Sequence, residues 1–350
     1  MLIAAVETVL PPNRYEQEEI TKEFARVCDV DENLLRRFHA AARVGARSLA
    51  LPLDAYAGLD GFTAANDAYI ETALDLATQA ALRALDTAGV AAHDVCHIMM
   101  CSSTGLATPS LDARLAQRIG LRQGVKRVPV FGLGCVAGAA GLARVHDYLR
   151  AWPDEVALLV CVELCSLTLQ REDTSLANLV GSSLFGDGAA AVVAYGERRA
   201  AQRLARGPVV VSTRSRLYPD SGRLMGWEVG GHGFRLVLAP DLVDVVEKHL
   251  AADVAAFLAE HAMLIGEVGT WVCHPGGPKV IEKIAEVLAL PPGALDLTWR
   301  SLNEMGNVSS VSVLNVLQRT MAEREPAPGS FGLLTALGPG FSAEFVLLRW

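Results

Sequence analysis

The stretch Val130–Gly141 reads VFGLGCVAGAAG. An apolar run leads into it and a helical pattern leads out. The spacing Gly132-x-Gly134-x-x-Ala137 has the form of a loop that cradles a dinucleotide pyrophosphate at a helix N-terminus. The same turn presents one cysteine, Cys135, at the start of that helix. The two readings demand different companions. A dinucleotide fold needs an acidic residue at the end of the next strand, and Glu163 is available. A nucleophile needs proton-handling and charge-stabilising partners from elsewhere in the chain.

Outward from this loop, helical periodicity is expected over 17–28, 68–88, 109–119, 135–149, 242–261, 279–288 and 306–322. Short apolar strands are expected at 98–101, 128–131, 156–162, 189–194, 209–212, 235–238, 271–273, 333–336 and 345–348. Strands alternating with helices imply α/β architecture. No long Pro- or Ser-rich linker separates compact domains. The charged stretch 197–206 is the best boundary, giving an N-terminal half over 1–199 and a C-terminal half over 200–350.

The halves echo each other. IMMCSSTG around Cys101 resembles GTWVCHPGG around Cys273, and GLGCVAGAAGL around Cys135 resembles NEMGNVSSVSVL around Asn307. Both pairs lie 172 residues apart (273 − 101 and 307 − 135). Each half has a strand ending in cysteine and then a Gly-x helix start rich in small residues. Gly138, Ala139 and Gly141, with Ser310, Val311 and Val313 opposite, allow two helices to approach closely in a buried middle layer. A pseudo-twofold relation would start equivalent helices at Cys135 and Asn307. It would also put His274 where Ser102 stands in the first half, and so bring Cys135, His274 and Asn307 towards one cavity.

Composition limits the alternatives. The chain has 350 residues, of which 51% are hydrophobic, enough for a large core. Its net charge of −8 is opposite to that of a generic nucleic-acid binder. No apolar run reaches membrane-spanning length, and the N-terminus lacks the basic start and cleavage site of a signal peptide. The seven cysteines are scattered and odd in number, so no metal site is assigned, and a reducing, cytoplasmic setting is expected.

Three residues then fit one chemistry. A free thiol titrates near about 8.5, and a helix N-terminus or a neighbouring imidazolium favours its thiolate. Cys135 sits on such a turn. His274 ends a strand before HPGGPKV, where Pro275 and Pro278 stiffen the loop and Gly276-Gly277 let backbone approach a ligand. Asn307, in GNVSS, alone would read as a helix N-cap. Opposite Cys135 in the repeat, its amide can instead donate to a developing oxyanion, a contact worth roughly 2.7–4 kcal/mol. Such a set suits thioester chemistry: the thiolate holds an acyl group, and the two donors stabilise the enolate left by decarboxylation of a malonyl thioester. No metal or redox cofactor is required.

GCVAG at Cys135, LFGDGAAAVV at Phe185, HPGGPKV, GNVSS and LGPGFSAEFVLL together resemble the type III polyketide synthases, the chalcone synthase family. The resemblance implies a thiolase-like five-layer αβαβα fold of two pseudo-repeated halves, and a homodimer. It makes Cys135 the acyl-carrying nucleophile with His274 and Asn307 as partners. Phe185 and Phe234 match gatekeepers between a CoA tunnel and the cavity, and Gly338-Pro339-Gly340 matches a loop shaping the cavity wall. Ser103, Thr104 and Thr168 fall where the family lines its initiation and elongation pocket. Thr108 takes the place of a residue that crosses the dimer interface, and Leu224 and Met225 adjoin a segment one residue longer than the plant pattern. Of the basic residues that hold CoA phosphates, only Arg26 aligns, with Lys279 as a further cation.

The expected activity is iterative condensation of malonyl-CoA onto an acyl-CoA, with a fatty or medium-chain starter giving an alkylpyrone or alkylresorcinol. Three alternatives remain beside it: a malonyl-primed tetrahydroxynaphthalene synthase, a single-condensation ketoacyl synthase, and an NAD(H)-responsive binding protein using the Gly132–Gly138 loop.

Overall fold

The apolar runs that end in Cys101 and Cys273 occupy corresponding places in two half-sheets. The structure is a computed structural model that describes every residue except Leu204, which lies in the boundary stretch 197–206. From its free edge, the first half-sheet runs Lys126–Val130, Val95–Cys101, Val156–Leu164, Asp187–Tyr195, Leu2–Val9. The second runs Thr270–Cys273, Phe331–Gly338, Ser342–Arg349, Val209–Leu217. Strand directions agree as well. The Cys101 strand is parallel to Val156–Leu164 and the Cys273 strand to Phe331–Gly338, and the next two pairings in each half are antiparallel. Among the described residues the second half has no counterpart of Lys126–Val130. One pair, Leu2 with Val209, joins the half-sheets.

Both sheets are covered on two faces, which is why Val156–Leu164 and Asp187–Tyr195 are buried at every position and read as near-continuous apolar runs. Three apolar cores fill the spaces between five layers. One lies between the first sheet and outer helices including Gly61–Ala88. Another surrounds the Ala137–Ala151 and Ser310–Arg319 helices between the sheets. The last packs the Leu242–Ala259 and Pro278–Val287 helices on the second sheet. No helix among the described residues is long and apolar enough to cross a membrane.

The middle layer is as tight as its small residues imply. A Cβ on Gly138 would stand 2.3 Å from the Ser310 carbonyl oxygen and 2.7 Å from a Val313 methyl. The strand Leu2–Val9, central to the sheet, carries little turn or repeat signal and was absent from the expected elements, as were the helices Glu32–Ala41, Leu176–Leu184 and Asp296–Met305. The helix expected over 306–322 begins instead at Ser310. Asn307 forms a bridge with Phe185, and Ser309 has φ 46°, so the chain turns before the helix starts and Asn307 is not its N-cap.

Alanine at Gly138 and at Gly141 gains about 1 kcal/mol of helix propensity in each case, but the obstacles differ. At Gly138 it is a backbone carbonyl, whereas at Gly141 it is the end of the Leu159 side chain, which can rotate. Overpacking costs roughly 1–3 kcal/mol, so urea unfolding should show a clear loss for Gly138→Ala and a smaller change for Gly141→Ala.

Candidate active site

Cys135 stands in a single 3-10 turn, Gly134–Val136, between the sheet edge and the Ala137–Ala151 helix. Gly134 has φ +53° and Gly132 φ +96°, conformations that L side chains rarely adopt. The Gly134 N–H donates to Ser103 Oγ at 3.0 Å. The Gly338-Pro339-Gly340 loop seats on the turn: a Cβ at Gly134 would meet Pro339 at 2.8 Å, and one at Gly338 would meet the Val136 nitrogen at 2.6 Å. The glycines therefore serve the cysteine turn and its cover. Pro339 covers Gly134 at the helix start, and Glu163 is held by Ser103, Thr104 and Ser310, so neither is left for a dinucleotide.

Asn307 is oriented by its own surroundings. Its Oδ1 accepts from the Ser309 N–H at 2.8 Å, so the amide nitrogen is the end turned to the site. Nδ2 lies 4.0 Å from Cys135 Sγ and 3.4 Å from the Gly276 carbonyl oxygen. Gly276 belongs to the loop after His274, whose backbone N–H donates to the Thr335 carbonyl at 2.9 Å. The amide of Asn307 thus links the cysteine turn to the histidine loop. All three side chains are buried, and both His274 ring nitrogens are without a partner among the described residues.

Burial acts on this set in opposite directions. It pushes the Cys135 thiol up to about 12, against hydrogen bonds from Ser309 and Asn307 that favour the thiolate. It also pushes the His274 imidazole down to about 3. Neither charge is stable by itself in this pocket. A proton passing from sulfur to imidazole creates both together with no change in net charge, and opposite charges offset each other's desolvation. Burial thus disfavours either charge alone, and no hydrogen bond joins Cys135 to His274 among the described residues.

Two buried carboxylates flank the site. Glu163 accepts from the Ser103 N–H and the Thr104 hydroxyl, both at 3.0 Å, and from the Ser310 hydroxyl at 2.7 Å, so it ties the two halves together beneath Cys135. Burial nevertheless raises it to about 7. Asp187 accepts from the Ala50 N–H, the Ser166 N–H and the Ser166 hydroxyl, and burial raises it to about 6. A lone carboxylate inside the run VALLVCVEL was the available signal for Glu163, since a buried charge needs partners.

The remaining residues fall around three cavities. A cavity of about 430 Å³ is lined by His274, Gly276, Gly277, Lys279 and Met225 with Leu176, Val180, Leu184 and Phe341. Another of about 210 Å³ reaches Thr104 and Phe234 and is walled by Asp60, Asn66, Gln170, Arg171 and His232. A small one of about 30 Å³ is lined by Phe185, Thr168, Arg47 and Trp227. Phe234 packs against Phe62, Phe131 and Trp227, with ring centroids at 5.4, 6.0 and 6.1 Å. Trp227 thereby connects the surroundings of the two phenylalanines, a role its sequence context did not signal. Leu224 packs against the outer core and Thr108 sits in the loop before the Leu111–Arg118 helix, neither on a cavity wall. Arg26 is exposed, pairs with Glu23 at 2.5 Å and lines none of these cavities.

Comparison with known proteins agrees over the whole chain. Residues 1–197 match the chalcone and stilbene synthases, N-terminal domain, and residues 209–350 their C-terminal domain. The chain is 55% identical to the 1,3,6,8-tetrahydroxynaphthalene synthase of Streptomyces peucetius subsp. caesius, over 99% of this chain and 93% of that one. It is 30% identical to the phloroglucinol synthase of Pseudomonas fluorescens, over 97% and 98% of the two chains. The crystal structure of 1,3,6,8-tetrahydroxynaphthalene synthase from Streptomyces coelicolor A3(2), a bacterial type III polyketide synthase, superposes with a TM-score of 0.94 at 30% identity, covering 100% of this chain and 99% of that one.

Two measurements test the electrostatics. Alkylation of Cys135 by iodoacetamide at pH 7 should slow at least about tenfold in His274→Ala, one pKa unit of lost thiolate stabilisation; equal rates would mean that the imidazole does not take the proton. Glu163 binds its proton more tightly folded than unfolded, so its ionisation costs stability as pH rises from its usual 4.5 through about 7. Urea midpoints between pH 5 and 8 should therefore move in favour of Glu163→Gln relative to the unaltered protein, by on the order of 2–3 kcal/mol. A pH-independent offset would exclude this.

Proposed function

Because the chain belongs to the chalcone and stilbene synthase family, type III polyketide synthases that catalyse decarboxylative condensation on a thiolase-like fold, we propose that it primes itself with malonyl-CoA and builds a polyketide that closes to a tetrahydroxynaphthalene. Membership replaces the single-condensation ketoacyl synthase reading. The observation that carries the mechanism is the Asn307 amide, fixed by Ser309, facing both Cys135 Sγ and the His274 loop.

In this reading the Cys135 proton passes to His274 as sulfur attacks the starter thioester, and CoA leaves as its thiol by taking that proton back. A malonyl-CoA extender then binds with its thioester oxygen between His274 and Asn307. Its C–C bond to the carboxylate breaks, carbon dioxide leaves, and the electron pair becomes an enolate that these donors stabilise. The enolate carbon attacks the acyl–Cys135 carbonyl and expels the thiolate, so a C–C bond forms and the chain, two carbons longer, returns to CoA. There is no net oxidation, so the steps balance without a metal or redox cofactor.

Malonyl priming is supported by the 55% identical relative and by the polar wall of the cavity that reaches Thr104 and Phe234. Lys279, on the wall of the larger cavity, is the cation offered for CoA phosphate, and Arg26 is less suited because Glu23 holds it. A homodimer fits the exposed edge strand Lys126–Val130 and the exposed Phe131 that follows it in the chain. The fatty-acyl starter keeps one supporting observation, the largely apolar walls of the cavity of about 430 Å³.

Purified protein given malonyl-CoA alone should release CoA and yield a product with the mass of tetrahydroxynaphthalene, and Cys135→Ala should yield none. Extension only when octanoyl-CoA or a similar thioester is supplied would transfer the assignment to the alkylpyrone reading. Full activity in Cys135→Ala would remove the mechanism.

A further inference from the structure

Arg47 lies on the short strand Ala46–Leu49, outside the three-residue set, and is among the most deeply buried cations of the chain at 1% exposure. Its Nη1 donates to the Phe185 carbonyl at 2.6 Å and its Nε to Gln17 Oε1 at 3.1 Å. Gln17 in turn donates through Nε2 to the Ser183 carbonyl at 2.8 Å. Three residues beyond Arg47, the Ala50 N–H donates to the Asp187 carboxylate at 2.6 Å. The segment 47–50 and Gln17 therefore grip the chain from Ser183 to Asp187 at both ends.

That gripped chain is what Asn307 rests on. The Asn307 N–H donates to the Leu184 carbonyl at 2.8 Å, and the Gly186 N–H donates to the Asn307 carbonyl at 3.1 Å. The Arg47 stem also backs the residue before Asn307, since a Cβ on Gly306 would come within 3.0 Å of Arg47 Cδ. Stability alone is a poor reason to keep this residue. A buried guanidinium is costly, apolar replacements of buried ion pairs are often neutral or stabilising, and Arg47 Nη2 lacks a partner among the described residues.

We propose that Arg47, braced by Gln17, is a positioning residue that sets the Asn307 amide for malonyl decarboxylation by fixing the Leu184–Gly186 backbone. The proposal rests on the reading that Asn307 polarises the malonyl carbonyl. Arg47 touches neither substrate nor Cys135 in this scheme, and its effect passes through two backbone hydrogen bonds. The two half-reactions should then respond differently. Small misplacement of a reacting group costs up to about a hundredfold in rate, whereas transfer of the starter to Cys135 draws on Asn307 only through its long 4.0 Å contact with the sulfur.

The experiment compares Arg47→Lys, Gln17→Leu and Asn307→Ala in the full-length protein. Loading of Cys135 by an acyl-CoA is followed by intact mass after rapid quench, and decarboxylation by release of labelled carbon dioxide from malonyl-CoA. Arg47→Lys should lower decarboxylation at least about tenfold while loading stays within about twofold, with KM for malonyl-CoA changed less than kcat. Gln17→Leu should show the same split at smaller size, and it decides the matter if Arg47→Lys does not fold. Equal slowing of both half-reactions, or of neither, overturns the proposal. Undiminished decarboxylation in Asn307→Ala would instead overturn the reading beneath it, which separates the two failures.

Discussion

The site depends on one close approach. The Ala137–Ala151 and Ser310–Arg319 helices meet in the middle layer where Gly138 faces the Ser310 carbonyl with no space for a methyl group. Because both helices are held at that distance, the turns that precede them stand side by side, and Cys135 comes within 4.0 Å of the Asn307 amide although 172 residues separate them. Ser310 does more than fit. Its hydroxyl donates to Glu163, so the contact that sets the spacing of the helices also anchors the carboxylate under Cys135. Packing and electrostatics are coupled at one residue.

That coupling explains a cost the fold carries. Glu163 and Asp187 are both buried, and burial raises both above their usual range despite several hydrogen bonds each. Apolar side chains of similar volume would serve the core better. What the carboxylates supply is direction. Glu163 orients the Ser103–Thr104 backbone, and Ser103 in turn accepts from Gly134 next to Cys135. Asp187 fixes the end of the segment whose carbonyls and N–H groups pair with Asn307. Each acts one step away from Cys135 or Asn307.

How much of this was readable from the sequence follows from how local each feature is. The cysteine turn was readable because glycines at positive φ mark it, and the repeat because its two matches share one spacing. Together they led to Cys135 beside Asn307 and placed small residues in the middle layer, whereas, among the described residues, only His274 of the three expected around one cavity lines one. The strand Leu2–Val9 was not readable, because its eight residues gain their meaning from neighbours almost two hundred positions away. Arg47 was hidden for the same reason: its partners Gln17 and Phe185 lie 30 and 138 positions away. The early start expected for the helix at 306 failed because the pairing of Asn307 with Phe185 overrides local helix propensity. Cavity size and polarity were the least readable, since each wall draws on side chains from several elements at once.

A duplicated scaffold raises the question of why its two halves carry different chemistry at equivalent places. His274 and Ser102 follow corresponding strands, yet Ser102 is consumed by a hydrogen bond from the Tyr69 hydroxyl at 2.7 Å while His274 keeps both ring nitrogens free. The strand pairings put Cys101 opposite Cys161 and Cys273 opposite Thr335, so the counterpart of Glu163 is Leu337. Symmetric partners would change the site: a second thiol in place of Asn307 would bring no amide to Cys135 Sγ, and a carboxylate in place of Leu337 would add a third buried acid to the two already there. One half therefore carries Cys135 over a carboxylate that organises its turn. The other carries an amide and a buried imidazole whose burial disfavours its charge, with Leu337 where the first half has Glu163.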